Sequence, residues 1–338
     1  MSLPQVRAAP WYQGQIGVPG SDVQRGLRWE SCGIVLFVDE NHPNATAFAD
    51  GTDPENPLNS IQTAVDRLTQ FATAMAPITL EGSVIVVANE ATIAESVIIN
   101  PTAPKSCTIL GAGGSRHQPT WTAATAPGTA LILRQQGWVI EGFTFGVGAL
   151  GTAIRLSEVP GSSYISYKTM IRDCQFDGLF GGQYGIDFYG APHRVTVEGC
   201  EFIEFHTVAT DAFAICVTDS AHTNPNQCRI LNNMFWQNDN HIGSVGNIRS
   251  FNASEFRGNT FMALADAGIV TALKLDLRGG SVGLNIVTQN VFCGDYATAG
   301  GYWDNAVAGR AGMWVGNIAE DVASGQVADN GFTVAVPV

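Results

Sequence analysis

Four side chains stand where they could do acid–base work: Glu204, His206, Asp211 and Asp239. His206 and Asp239 each fall four places after a phenylalanine, Phe202 and Phe235. Glu204 and His241 lie close by in the chain, and Asp211 lies in the strand-like run that follows. Two carboxyl groups about 5 to 9.5 Å apart can cleave a glycosidic bond, one protonating the leaving oxygen and the other attacking or activating water. An imidazole near a carboxylate can carry a proton near neutral pH. Asp177 and Asp295 do not extend this column, while Asp187, like Asp211, falls in the strand that follows, eleven and nine places after their phenylalanines. Turn-forming acids also sit in solvent with no catalytic part, and the residues alone leave both readings open.

Other chemistries lack their residues. No Cys-x-x-Cys pair is present, so a zinc site of ordinary spacing is unsupported. Gly-x-Ser-x-Gly and His-Glu-x-x-His are both missing. Gly111-Ala112-Gly113-Gly114-Ser115 opens no helical pattern, so it is not a dinucleotide fingerprint. Asp50-Gly51-Thr52-Asp53-Pro54-Glu55-Asn56 is a loose match to a calcium loop without its residue order. The expected cofactor set is therefore none, with calcium at that loop as the alternative.

Charge removes further classes. Asp and Glu total 30 against 17 Lys and Arg, a net charge of −13, and charged residues are only 14% of the chain. Phosphate binding needs clustered cations, so nucleic acid and anionic membrane surfaces are excluded as partners. No apolar run approaches the ~20 residues of a membrane span, so no membrane insertion is expected. Met1 to Arg7 carry no apolar leader core. The seven cysteines, Cys32, Cys107, Cys174, Cys200, Cys216, Cys228 and Cys293, are odd in number and widely spaced. They read as buried thiols acting as small hydrophobes, in keeping with folding in a reducing compartment.

An internal repeat organises the second half. Phe145, Phe176, Phe202, Phe235, Phe261 and Phe292 follow one another at 31, 26, 33, 26 and 31 residues. Two places before each stand Phe143, Cys174, Cys200, Asn233, Asn259 and Asn290. Three places before stand Gly142, Asp173, Gly199, Asn232, Gly258 and Gln289. Five places before, every residue is apolar, from Ile140 to Val287. Such a unit is a short strand with one buried face, then a turn, then a second strand. No helical pattern separates the copies, so the period describes one coil of several strands. Stacked coils, about 4.8 Å apart, would turn the phenylalanines into an aromatic column. Asn233, Asn259 and Asn290 would become an amide ladder. Degenerate copies at Thr108–Gly111 and Trp314–Asn317 raise the expectation to about eight coils.

The first half prepares this stack. Ile34 to Val38 read as a strand, and Asp39 to Pro57 as a turn-rich run. Ile61, Ala64, Val65 and Leu68 lie at helical spacing, with Asn59 or Ser60 as N-cap. Val84–Val87, Glu95–Ile99 and Thr108–Gly111 follow as strands. The order Val38-Asp39, Ile61-Gln62-Thr63-Ala64-Val65, Glu95-Ser96-Val97-Ile98-Ile99 and Leu110-Gly111-Ala112-Gly113 resembles the start of pectate-lyase-like β-helix proteins, over roughly residues 34–115. The resemblance implies an all-β, right-handed, single-stranded parallel β-helix with an N-terminal capping helix. The organisation expected is an arm over 1–33, an entrance over 34–115 with its helix at about 58–75, coils over 116–319 and a C-terminal segment over 320–338.

The resemblance implies three functions. One is a non-catalytic structural protein of a phage particle: a capsid decoration, fibre or tail-spike component, assembled in host cytoplasm and carried on the virion. Such proteins are commonly homotrimers, and Trp11, Tyr12 and Trp29 of the aromatic arm would contact other virion proteins. The second is a secreted polysaccharide lyase or glycoside hydrolase, working on a surface glycan in a groove along the coils. For a lyase, Arg172, Arg194, Arg229 and Arg257 recur before turns, but no Arg-x-Pro-x-x-Arg pattern occurs. The third is a cell-surface adhesive module.

Overall fold

A computed structural model describes residues 33–76, 80–113, 117–157, 166–190, 192–207, 212–219, 225–245, 251–263, 271–273, 285–294, 313–319, 328–329 and 332–333. Among the described residues, the chain winds through three parallel sheets of ten, nine and seven strands. Strands follow in the order first sheet, second sheet, third sheet, so every neighbour within a sheet is one coil away. The architecture is the parallel β-solenoid the repeat implies. The strand number differs from sheet to sheet, so the expected figure of about eight coils fits no single sheet. Four C-terminal residues form a small antiparallel pair, Ala328–Asp329 with Phe332–Thr333.

Register follows the repeat. Phe145, Phe176, Phe202, Phe235, Phe261 and Phe292 pair across successive strands of the second sheet. Their rings stack at centroid separations of 4.6 to 5.1 Å. Trp121 continues the column at 5.3 Å from Phe145. Each ring is fully buried, and full burial of a side chain of this size contributes about 1.5–3 kcal/mol.

The corner between the first and second sheets repeats one backbone conformation. Gly142, Asp173, Gly199, Asn232, Gly258, Gln289 and Gly316 all take positive φ, between 51° and 77°. A left-handed residue reverses the chain sharply, which is why Gly, Asn and Asp prevail there. One place later, Asn233 Nδ2 donates to Asn259 Oδ1 at 3.0 Å, and Asn259 Nδ2 donates to Asn290 Oδ1 at 3.0 Å. Asn317 adds a further rung at 2.9 Å from Asn290. Each Oδ1 also accepts the backbone N–H one coil earlier, so Cys200, Asn233, Asn259 and Asn290 all donate to it.

The helix spans Ile61–Ala74 and buries Ile61, Ala64, Val65 and Leu68. Ser60 caps it, its side chain accepting from Thr63 N. Glu95 accepts from the Ile61 and Gln62 amides at 2.6 and 3.2 Å, and burial raises its carboxyl above the usual range. Gln62 reaches the outermost strand of the third sheet, Val97–Ile99. Its Oε1 accepts from Ile98 N at 2.7 Å and its Nε2 donates to Ile98 O at 3.4 Å. One glutamine thereby serves the edge strand as a neighbouring strand would.

Candidate functional site

The corner between the second and third sheets is built differently. Its turns vary in length, and glycines crowd it. Leu150, Leu179 and Phe180 take positive φ there, at 56°, 47° and 54°. All three are exposed, Phe180 at 67%. The left-handed region costs a non-glycine residue roughly 1–2 kcal/mol. These residues bear that cost without burying their side chains. The turn is held by Leu179 N donating to Asp177 Oδ1 at 2.9 Å, and by Leu150 N donating to Gly181 O at 2.8 Å. Leu179 walls a shallow groove with Thr122, Ala126, Gly146, Gly148 and Gly151. At Gly148 an added Cβ would meet only Ala126 Cβ, at 3.8 Å, so the groove floor there is open.

One coil on, the ring of His206 lies stacked on Phe180, centroids 5.8 Å apart and planes 9° apart. His206 Nδ1 meets Asp239 Oδ1 at 2.7 Å, and Asp239 Oδ2 accepts from Thr207 N at 3.0 Å. Both carboxylate oxygens of Asp239 are thus engaged, and they fix the imidazole against the phenyl ring. Two of the four sequence candidates, His206 and Asp239, are in contact. Glu204 sits at the same corner with φ 59°, its backbone N bonded to Trp236 O at 3.1 Å, and no contact joins its carboxylate to that pair. Asp211 lies outside the described residues, as do Trp11, Tyr12 and Trp29.

His241 proves to be a core residue. It is fully buried between the rings of Phe235 and Phe261. Its Nδ1 meets Asn238 Nδ2 at 3.1 Å. Burial pushes its pKa down to about 3, which keeps the ring neutral.

A second cluster lies on the third sheet. Arg155 and Asp187 pair in register on neighbouring strands, Thr152–Ser157 and Tyr184–Tyr189. Their strand neighbours Ile154, Leu156, Ile186 and Phe188 fill the core, so alternation turns this pair outward. Arg155 Nε donates to Asp187 Oδ2 at 2.7 Å, and Thr218 Oγ1 donates to Asp187 Oδ1 at 2.5 Å. The Asp187 side chain is fully buried, whereas Arg155 is one-third exposed. Tyr189 flanks the guanidinium, which lies 5.2 Å from its ring centre. A buried carboxylate is costly unless paired and hydrogen-bonded; here it holds one guanidinium in a fixed orientation. Sequence reasoning missed Arg155. The available signal was its distance of 32 residues from Asp187, one coil length.

Among the described residues, no group of three or more His, Cys, Asp or Glu is placed to hold a metal ion. The calcium-like loop uses its acids internally. Asp50 Oδ1 accepts from Thr52 N, and Asp53 Oδ1 accepts from Glu55 N, at 2.9 and 3.0 Å. No described helix is long and apolar enough to cross a membrane.

No family model matches the sequence, and no curated protein matches it. Solved structures share its winding. An alginate lyase from Paenibacillus sp. str. FPU-7 is 16% identical, over 75% of this chain and 93% of its own, with a TM-score of 0.48. A tailspike protein, gp49, of the Acinetobacter baumannii bacteriophage Fri1, described as a capsular polysaccharide depolymerase, is 11% identical. That match covers 87% of this chain and 58% of the tailspike chain, with a TM-score of 0.35. At these values the likeness is one of winding and assigns no activity. The chain is a parallel β-solenoid with one short helix among the described residues, and both structural neighbours are β-helix proteins.

Proposed function

We propose that the chain is a rigid, non-catalytic surface module of a phage particle, and that its second-to-third-sheet corner holds an extended polysaccharide. One observation carries the reading: Leu150, Leu179 and Phe180 occupy strained backbone positions and hold apolar side chains in solvent. Strain of this kind collects at binding sites, where a fixed geometry is worth its cost. A sugar ring offers an apolar face of C–H groups to an aromatic platform and hydroxyls to polar neighbours. Phe180 supplies the platform; His206, Asp239 and the threonines Thr122 and Thr125 stand within the same corner. Arg155, held by Asp187, adds a fixed cation for an acidic sugar on the adjoining face. The virion part rests on the thiols. Cys107, Cys174, Cys200, Cys216 and Cys228 are buried and form no disulfide. Burial pushes Cys107 and Cys228 up to about 12. Such thiols suit assembly inside a reducing cell and are shielded afterwards.

The test is binding of the full chain to immobilised bacterial polysaccharides, neutral and acidic, alginate included. Phe180→Ala should weaken binding at least tenfold and leave the melting temperature within about 1 °C, because the ring is exposed. Absence of binding to every polysaccharide, or equal binding by the variant, would overturn the reading. The second reading is a depolymerase, favoured by the His206–Asp239 pair against Phe180. Release of shortened chains by the wild-type protein, lost in Asp239→Asn, would replace the non-catalytic reading.

A further inference from the structure

The outer face of the second sheet changes character along its length. In its first half, Gln118, Thr144, Gln175 and Glu201 form a chain of side-chain hydrogen bonds, the last link being Gln175 Nε2 to Glu201 Oε2 at 3.1 Å. Asp177 stands in the adjoining row. Past Glu201 the charge vanishes, and Thr260 carries the one hydroxyl among the residues that follow in these rows. The registers Met234–Thr260–Val291–Ile318 and Ile203–Trp236–Met262–Cys293 run as two adjacent rows. Among the described residues of these rows no side chain is charged. Trp236 and Ile318 are exposed, at 37% and 63%, and Ile203, Met234, Met262 and Val291 are half-buried.

We infer that this face is where copies of the chain associate with one another. The solenoid carries a net charge of −13, so copies repel wherever acids face acids. A strip free of charge is the part of such a surface on which two copies can close without burying unpaired carboxylates. It also has the composition of an interface core, with Trp, Met and aliphatic residues and few hydroxyls. Sugars need hydrogen-bonding partners, which these rows scarcely offer, and an anionic membrane would be repelled. The rows keep an unbroken register from coil to coil, so the same strip on a second solenoid can lie along them. A self-complementary contact of that kind closes into a symmetric oligomer.

The inference is independent of glycan binding. Light scattering after gel filtration should give at least two chain masses of 35.8 kDa each for the wild-type protein. Trp236→Glu with Met262→Glu should reduce the mass to one chain or weaken association at least tenfold. Both sites are on the outer face, so the melting curve reports whether the fold survives. Thr260→Arg, a milder change between them, should act in the same direction should the double variant fail to fold. Gln175→Glu, outside the strip, should keep the wild-type mass. A wild-type monomer at 100 µM loading, or a wild-type mass in folded strip variants, would overturn the inference.

Discussion

Two corners of the same solenoid obey different rules. Between the first and second sheets, seven coils repeat one left-handed residue, and four of them place an asparagine next to it in a continuous ladder. Between the second and third sheets, among the described residues, turn lengths differ, no ladder of side chains runs from coil to coil, and strained apolar side chains face solvent. The first corner is set by packing, since every buried amide must find a partner one coil away. The second is closed coil by coil, by backbone bonds in one turn and by Asp177 or Asp239 in another, which leaves Leu150, Leu179 and Phe180 available for recognition. The contrast separates what holds the stack together from what the stack displays.

The sharpest way to break this contrast is at the ladder. Asn259→Leu removes the acceptor of the Asn233 amide and leaves polar groups of both neighbouring coils unpaired in the core. Each unsatisfied buried group costs about 1–3 kcal/mol, so a loss of ~3 kcal/mol in urea unfolding is expected. A change under about 0.5 kcal/mol would show that the ladder is ornamental.

His241 gives the next largest effect. The unfolded chain takes up its proton near pH 6.5, whereas the folded chain does not until about pH 3. The unfolded state therefore binds more protons between those values, and stability falls as pH falls through that window. Between pH 7 and pH 5 the loss is about 2 kcal/mol. His241→Leu should flatten that part of the profile in denaturant melts at successive pH values. Equal slopes for both proteins would place the acid sensitivity elsewhere.

Gln289 gives the smallest. It takes the left-handed conformation, φ 56°, that glycine supplies in four other coils. Gln289→Gly should stabilise by up to ~1 kcal/mol, read as a raised midpoint in thermal melts. The same exchange at Phe180, in the variable corner, relieves similar strain but should abolish polysaccharide binding. A Gln289→Gly variant less stable than wild type would mean that the side chain contributes more than its backbone strain costs.

These differences also decide what the chain makes readable. The phenylalanine column and the asparagine ladder show in the bare sequence because each coil solves the same packing problem at the same place. His206 and Asp239 were found together because their separation, 33 residues, equals that of Phe202 and Phe235. Arg155 and Asp187 escaped that reasoning. They stand ten and eleven places after their phenylalanines, because the intervening turns differ in length. Leu179 and Phe180 look like ordinary turn residues among Gly178, Gly181 and Gly182, and their strain is invisible without backbone angles. The uncharged strip was hidden for another reason: its residues recur at coil spacing but differ in type from coil to coil.

The contact between Gln62 and Ile98 has a consequence for growth. A parallel stack has two ends, and either could accept a further strand from a neighbouring molecule. By occupying both the donor and the acceptor of Ile98, a single side chain ends the hydrogen-bond ladder of the third sheet at one pole and gives that sheet a direction. Extension of that sheet, whether by gene duplication of a coil or by unwanted fibre formation, is left to its opposite edge. The glutamine thus works as a terminator, the difference between a particle of fixed length and the seed of a filament.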